Sequence, residues 1–417
     1  MISRVRGTRD IVDGIAMEHL CMLLEKHLKN YRYSQIYLPL IESTDLFKRS
    51  LGQETDVVSK EMFVVTSSSG QSDEEICLRP EATASTVRAF VENGIQQTPW
   101  KVFTIGEMFR YERPQKGRFR QFYQCSMEVI GSACVAEDVL FIQMLNNFFS
   151  QQCGFLEYGL HINYLGCHAD RSALKEQLHT FLEEHISALC DTCKKRKDTN
   201  ILRIFDCKSS ECQKIYSNAP VITSVLCAEC DYEWKQLQNN LEELSVTFSH
   251  NPCLVRGLDY YNKTVFEFVS PLLGAQSAFC GGGRYDGLVQ AVGGKEDQPS
   301  IGAAIGIDRV LMMFEVLGKS FIGNSKPLHV VLPLSQEEQS AALQIVSELH
   351  KHDLCADVLF DKSIKNLMRK ANKLGAKVAL LLGSQERENG TVTVKNMMTG
   401  QETVVKQIEI AQFLKNN

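Results

Sequence analysis

Arginine, phenylalanine, glutamine and glutamate recur at alternate positions along one stretch of this chain, a pattern that could line a polar, cationic pocket. The stretch is Phe103–Gly131, FTIGEMFRYERPQKGRFRQFYQCSMEVIG. Val102–Tyr111 and Arg118–Ile130 are rich in aromatic and β-branched residues, and Arg113-Pro114-Gln115-Lys116-Gly117 breaks the pattern between them. That predicts two strands joined by a basic turn. Successive strand side chains face opposite ways. One face of the second strand therefore carries Arg118, Arg120, Phe122, Gln124, Ser126 and Glu128, and the other carries Tyr123, Cys125, Met127 and Val129, which suits a core. Arg110 ends the first strand, close enough to join the polar set. A merely solvated face favours mixed Lys, Glu and Thr, so a site is the stronger reading. A second group with chemistry in it is sulfur: Cys190-x2-Cys193 and Cys227-x2-Cys230, with Cys207 and Cys212 between. Four thiolates in two such pairs suit tetrahedral zinc. Cysteine is also an ordinary small apolar residue, so a metal-free helical segment stays open beside the structural zinc.

The hairpin wording carries a resemblance. Phe109-Arg110-Tyr111-Glu112, then RPQKGRFRQF from Arg113, then Gln124 and Glu128, resembles motif 2 of class II aminoacyl-tRNA synthetases, and in detail the histidyl-tRNA synthetases. Further blocks agree in order: Arg6-Gly7-Thr8-Arg9-Asp10; Pro80-Glu81-Ala82-Thr83; Arg256-Gly257-Leu258-Asp259-Tyr260-Tyr261; Cys280-Gly281-Gly282-Gly283-Arg284-Tyr285-Asp286-Gly287; and Gly306-Ile307-Asp308-Arg309, similar to motif 3. The resemblance implies ATP-dependent activation of L-histidine and its transfer to tRNA(His), with ATP and Mg²⁺ required. It places Arg110 and Arg256 at the α-phosphate as the catalytic pair. Arg118 and Arg309 fall at the γ-phosphate, Glu112 with the ATP set, and Phe122 against adenine. Histidine is expected on Glu81, Thr83, Gln124, Glu128, Arg256, Tyr260, Tyr261 and Tyr285. A carboxylate is the natural partner of the ammonium, although Pro80 and Glu81 would also suit a plain helix start. A buried Arg256 without a nearby acid would be costly, which points to a bound anion as its counterpart. The glycine triplet would let backbone approach a ligand closely; it is no dinucleotide fingerprint, since it does not read GxGxxG.

These residues need a scaffold. Ile15, Leu20, Leu23, Leu24 and Leu28 recur at helical spacing. Ile36–Glu42 reads as a strand broken at Pro39, an edge position; by resemblance Pro39 belongs to motif 1 at a homodimer interface. A polar turn spans Ser67–Glu75, a helix is expected over Asp138–Phe149 and a strand over Leu160–Asn163. The charged, cysteine-rich segment of about 170–245 is a helical insertion. After a Gly/Ser/Lys linker, Gly318–Lys326, strands His329–Leu332 and Val378–Leu382 alternate with helices Gln336–His350 and Ser363–Leu374, which implies a small α/β domain with a parallel sheet. It resembles the anticodon-binding domain of class II synthetases, and Lys362, Lys365, Arg369, Lys370 and Lys373 are its candidate RNA face. The expected class is α+β: a catalytic domain over 1–325 built on an antiparallel sheet flanked by helices, and an anticodon-binding domain over 326–417.

Composition sets bounds. The 417 residues include 44% apolar ones, enough for more than one core. A net charge of −5 argues against indiscriminate polyanion binding, so RNA contact must come from local patches. One is Lys101–Arg120, with six Lys/Arg against two Asp/Glu; 326–417 is only mildly basic, twelve against ten. There is no run of membrane-spanning length and no signal peptide. Fifteen cysteines in a chain of this size suit a cytoplasmic protein with reduced thiols. Two rival readings remain: a catalytically silent regulatory relative, such as the synthetase-like subunit of ATP phosphoribosyltransferase, and a class II enzyme for another amino acid. The retained arginines and C-terminal domain weigh against the first, RGLDYY and GGGRYDG against the second.

Overall fold

The elements follow the hydrophobic pattern closely in the part of the chain that carries the motifs. In this computed structural model residues 2–53, 55–66, 75–319, 326–361 and 363–416 are described. All but Glu75 of the polar turn expected over Ser67–Glu75, most of the linker and Lys362 therefore lie outside the described residues. The chain forms two compact units, 1–321 and 322–417.

In the first unit, helix α1 (Ile15–Asn30) buries Leu20, Leu24 and Leu28, one stripe at helical spacing. It leads to strand β1 (Ser34–Gln35), a break containing Pro39, strand β2 (Ile41–Ser43) and helix α2 (Thr44–Leu51). Strands β3 (Phe63–Val65) and β4 (Ile76–Leu78) join β2 in a small antiparallel sheet, before helix α3 (Thr83–Glu92). The long hairpin is β5 (Trp100–Phe109) and β6 (Gln121–Ile130), paired from Trp100↔Ile130 to Phe109↔Gln121. Then come α4 (Val135–Asn147), β7 (Gly159–Tyr164), the insertion helices α5 (His168–Glu184), α6 (Asp191–Thr199), α7 (Ser210–Tyr216) and α8 (Ala228–Glu243), and β8 (Ser249–His250). Strands β9 (Asn262–Val269) and β10 (Ala278–Arg284), helix α9 (Leu288–Val292), strand β11 (Ser300–Gly306) and helix α10 (Ile307–Val316) complete the unit.

Eight of these strands make one sheet in the order β1-β5-β6-β11-β10-β9-β7-β8. It is antiparallel except at its two edges, where β1 and β8 run parallel to their neighbours. Cys125, Met127, Val129, Phe266, Phe268 and Ile305 point into a core covered by α1, α4, α8 and α10. The opposite face of β6 carries the polar alternation, because a period of two permits no other division.

The second unit corrects one expectation. Strands β12 (His329–Pro333), β13 (Ala356–Val358) and β14 (Val378–Leu382) are parallel, with helices α11 (Gln339–Lys351) and α12 (Ile364–Lys373) as crossovers. After α13 (Ser384–Asn389), β15 (Thr391–Asn396) and β16 (Glu402–Lys406) extend the sheet antiparallel from β14, and α14 (Ile410–Asn416) follows. The sheet is therefore mixed. The five-residue connection Met397–Gln401 joins β15 to β16, and a hairpin needs no crossover helix. No helix among the described residues is long and apolar enough to cross a membrane.

Candidate active site

The polar face of β6 opens onto a cavity of about 330 Å³. Arg110 and Arg118 from the hairpin, Arg256 from the loop before β9 and Arg309 from the first turn of α10 all line it. Each guanidinium is aimed by the main chain or by an acid. Arg110 Nε donates to the Pro80 carbonyl at 2.9 Å, and Arg309 donates from Nε to Gly117 O at 3.1 Å and from Nη1 to Ala278 O. Arg118 pairs with Glu112 and lies 3.7 Å from Glu61. Burial, then the charges of Arg110 and Arg118, pull Arg309 below the usual arginine range, while burial is the main cause lowering Arg110. Phe122 also lines the cavity, with the Arg110 guanidinium 5.4 Å from its ring centre.

Arg256 does not lack an acid. Its Nη1 donates to Glu267 Oε1 at 2.6 Å, so the expectation of a bound anion as its necessary counterpart is corrected. Glu267 was missed because it sits in an otherwise apolar strand, Val265-Phe266-Glu267-Phe268; the lone carboxylate there was the available signal. Arg256 Nε remains buried with no hydrogen-bond partner, as does Gln124 Oε1. A buried unsatisfied polar atom costs about 1–3 kcal/mol, which a bound polar ligand could offset. The glycine triplet, whose Gly281 lines the cavity, has a role besides the one expected. A Cβ at Gly281 would fall 2.5 Å from Arg256 Nη2, so the strand gives way to an arginine of the chain itself.

Carboxyls and phenols stand beside the arginines, with Arg110 held by the residue before Glu81 and the Arg256 guanidinium 6.0 Å from the Tyr261 ring centre. Glu81 accepts from Thr83 N at 2.6 Å and Ala84 N at 2.8 Å, so it caps α3 while lining the cavity. Thr83, Gln124, Tyr260 and Tyr261 line it too. Glu128 and Tyr285, expected among the histidine contacts, do not. Glu128 is buried behind Thr83, accepting from Thr83 Oγ1 at 2.8 Å and from the Tyr285 hydroxyl at 2.5 Å. Two filled oxygens and a fully enclosed side chain make it a support for Thr83 instead of a wall. Burial pushes the Glu128 carboxyl well above the usual range and raises Glu81 as well. Tyr261, also buried, is pushed up to about 12.

Two further residues escaped sequence reasoning. Arg203, from the insertion, lines the cavity and donates to Gly257 O at 3.2 Å; nothing in its local sequence marks it. Asp308 contacts Arg9 and accepts from Tyr123 N at 2.8 Å, tying the Arg-Gly-Thr-Arg-Asp block to β6 and α10. Arg120, expected on the pocket face, instead turns away from the cavity, its guanidinium 3.7 Å over the Tyr111 ring. The four cysteines expected to share a metal also separate. Cys190 and Cys193 gather with Cys207 and Cys212, whereas Cys227 and Cys230 gather with Cys167 and Asp170. Each pair begins a different helix, α6 or α8, and the intervening turns bring nearer partners to each.

The family model for histidyl-tRNA synthetase matches residues 15–310, and that for an anticodon-binding domain matches 329–417. The chain belongs to the histidyl-tRNA synthetase family. It is 40% identical over 415 residues to the histidine–tRNA ligase of Acetivibrio thermocellus, covering 98% of both chains. It is 40% identical over 420 residues to that of Nitratiruptor sp., covering 99% of each. Among solved structures, apo histidyl-tRNA synthetase of S. aureus superposes with a TM-score of 0.83 at 31% identity over the whole of both chains. The C-terminal unit, with its mixed sheet, is thus the anticodon-binding domain of a class II aminoacyl-tRNA synthetase.

Proposed function

We propose that the cavity activates L-histidine with ATP and then passes the histidyl group to tRNA(His). The observation carrying this reading is that four arginines from separate segments share one cavity with Glu81, Thr83 and Gln124. In the first step a histidine carboxylate oxygen attacks the α-phosphorus, the bond to the bridging oxygen breaks, and pyrophosphate leaves with its electron pair. Arg110 and Arg256 stabilise the charge that builds on the α-phosphate, usually the largest available contribution. Arg118 and Arg309 hold the γ-phosphate end, and adenine stacks on Phe122. Glu81 takes the ammonium of histidine, with Thr83 and Gln124 beside it. Tyr260 and Tyr261 bound the imidazole, with Tyr285 and Glu128 fixing Thr83 from behind. In the second step a hydroxyl of the terminal ribose attacks the histidyl carbonyl and AMP leaves.

Magnesium suits the donor set: hard oxygen ligands are present as Glu112 and Glu267, both on the cavity wall beside the arginines. Bound there with the nucleotide, it would supply neutralising charge to the phosphate oxygens. Glu112 and Glu267 would hold it, while also orienting Arg118 and Arg256.

In the C-terminal unit α12 buries Leu367 and Ala371 and leaves Lys365, Arg369 and Lys373 exposed, a basic face fitted to RNA phosphate. A homodimer through the segment around Pro39 is supported by Tyr37, 85% exposed, and by the exposed Leu40 and Ile41 beside it. The fifteen unpaired cysteines support a reducing, cytoplasmic location. The test is ATP–pyrophosphate exchange with and without histidine, followed by charging of tRNA(His). Exchange that depends on histidine is expected; its absence would favour the silent regulatory reading, and dependence on another amino acid would reassign the substrate.

A further inference from the structure

The insertion folds around four sulfur atoms. Cys190 stands just before α6 and Cys193 in its first turn; Cys207 follows the 3-10 turn Ile201–Asp206, and Cys212 lies in the first turn of α7. All four Sγ atoms lie within 4.8 Å of one another, and Cys190 Sγ is 3.8 Å from Cys207 Sγ. A tetrahedron of zinc–sulfur bonds about 2.3 Å long has sulfur–sulfur edges of about 3.8 Å. Two backbone N–H groups already point at the sulfurs: Cys190 N donates to Cys212 Sγ and Ser209 N to Cys207 Sγ, each at 3.4 Å. Cys193, Cys207 and Cys212 are buried. Four neutral thiols would bring four weak donors to one point with only weak acceptors to receive them. Four thiolates would have their mutual repulsion offset by one divalent ion and would accept from the N–H groups. The 4.8 Å spread leaves room for one ion and not for an iron–sulfide cluster.

We propose that Cys190, Cys193, Cys207 and Cys212 bind one structural zinc ion. Helices of nine and seven residues are too short to persist alone, and a core this small needs a staple. The other cysteine group explains itself without metal. Asp170 accepts from Cys167 N at 3.0 Å and from Cys227 N at 2.8 Å, so it joins the starts of α5 and α8 as a double cap. The zinc site also reaches the cavity. The turn it pins carries Arg203, which donates to Gly257 O and whose own carbonyl accepts from Arg196 Nη1 at 2.8 Å. Asn200 Nδ2, next to that turn, donates to Asp259 Oδ1 at 2.8 Å. Both contacts fall on the loop that follows Arg256, so the ion positions this loop from outside the cavity. The metal site stands apart from the ligase reading; its effect on histidine binding rests on it.

The test is metal analysis of the full chain purified without added zinc, together with Cys212→Ser, Cys212→His and Cys227→Ser variants. About one equivalent of zinc is expected in the parent chain and in Cys227→Ser, with loss in Cys212→Ser. Refilling the stripped protein with Co²⁺ should give intense tetrahedral d–d bands and sulfur-to-cobalt charge transfer. Cys212→His should keep the ion with those bands moved to higher energy, which decides the matter if the serine variant does not fold. Far less than one equivalent in the parent, zinc lost from Cys227→Ser but kept by Cys212→Ser, or a cobalt spectrum unchanged in Cys212→His would each overturn the site. Zinc removal should raise the histidine KM about tenfold and leave the ATP KM unchanged; equal KM values with and without zinc would refute the positioning role.

Discussion

Around the cavity, two of the guanidinium groups are steered by main-chain carbonyls, whereas the carboxyls of Glu81, which lines it, and Glu128, behind it, are held by hydroxyl and helix N–H donors. Arg110 and Arg309 lean on Pro80, Gly117 and Ala278. A carbonyl fixes direction without itself cancelling charge, although acids stand close by: Glu112 lies 4.0 Å from Arg110 and pairs with Arg118, and Glu267 pairs with Arg256. Glu81 and Glu128 instead spend their oxygens on Thr83, Ala84 and Tyr285. The first arrangement aims charge at the phosphates; the second fixes a shape, within which Glu81 still meets the ammonium of histidine. Arg256 stands between the two devices, because its acid partner Glu267 orients it while its Nε is left over.

If this division is right, the largest loss should come from Arg256→Ala. Histidine-dependent pyrophosphate exchange should fall by about 10²–10³-fold or more, with histidine still bound in a calorimetric titration; near-normal exchange would contradict the assignment. Arg309→Gln should act on the first arrangement alone, raising the ATP KM about 100-fold with the histidine KM unmoved. Glu81→Gln should do the reverse, raising the histidine KM about 10–30-fold, the size of a lost charge-assisted hydrogen bond. If either variant shifts both KM values alike, the two arrangements do not work separately.

Glu128→Gln sharpens the comparison at its quiet end, because catalysis should change only a few-fold. The informative readout is stability against pH. Burial raises the Glu128 carboxyl above its unfolded value. Below the unfolded pKa of about 4.5 both states hold the proton and the group contributes nothing. Above it the unfolded chain releases the proton while the folded one keeps it, so the carboxyl destabilises the fold increasingly as pH rises toward its folded pKa. Glutamine has no such penalty. The variant should therefore gain stability relative to the parent as pH rises above about 4.5 in denaturant titrations, and a constant difference would mean that the carboxyl titrates normally.

Much of this was legible in the sequence where one period governed it. The alternation in Arg118–Glu128 gave the pocket face of β6, and the strand-to-helix junction at Gly306–Arg309 formed where expected. What the alternation could not tell was depth. Phe122, Gln124 and Ser126 reach the cavity, yet Glu128, two residues further on the same face, is sealed in by Thr83 and Tyr285. Burial of that kind depends on strands distant in the chain. Gly302 on β11 is one of them: a Cβ there would lie 1.6 Å from Glu128 Oε2. The cysteines failed for a related reason. Spacing identifies pairs, and only the path of α6, the 3-10 turn and α7 decides which pairs meet. The β15–β16 hairpin was missed because the alternating strand-and-helix pattern stops at β14.

The pairing of β6 with β11 has a consequence for the nascent chain. Strand β6 ends at Ile130 and β11 begins at Ser300, and they are neighbours at the centre of the sheet. At about 5–20 residues per second, the open edge of β6 waits roughly ten to thirty seconds on the ribosome for its partner. Until then its unpaired N–H and C=O groups are a template for any passing strand. The centre of the catalytic sheet is therefore among the last parts of its unit to close, and expression at lower temperature or with a holdase chaperone should raise the soluble yield.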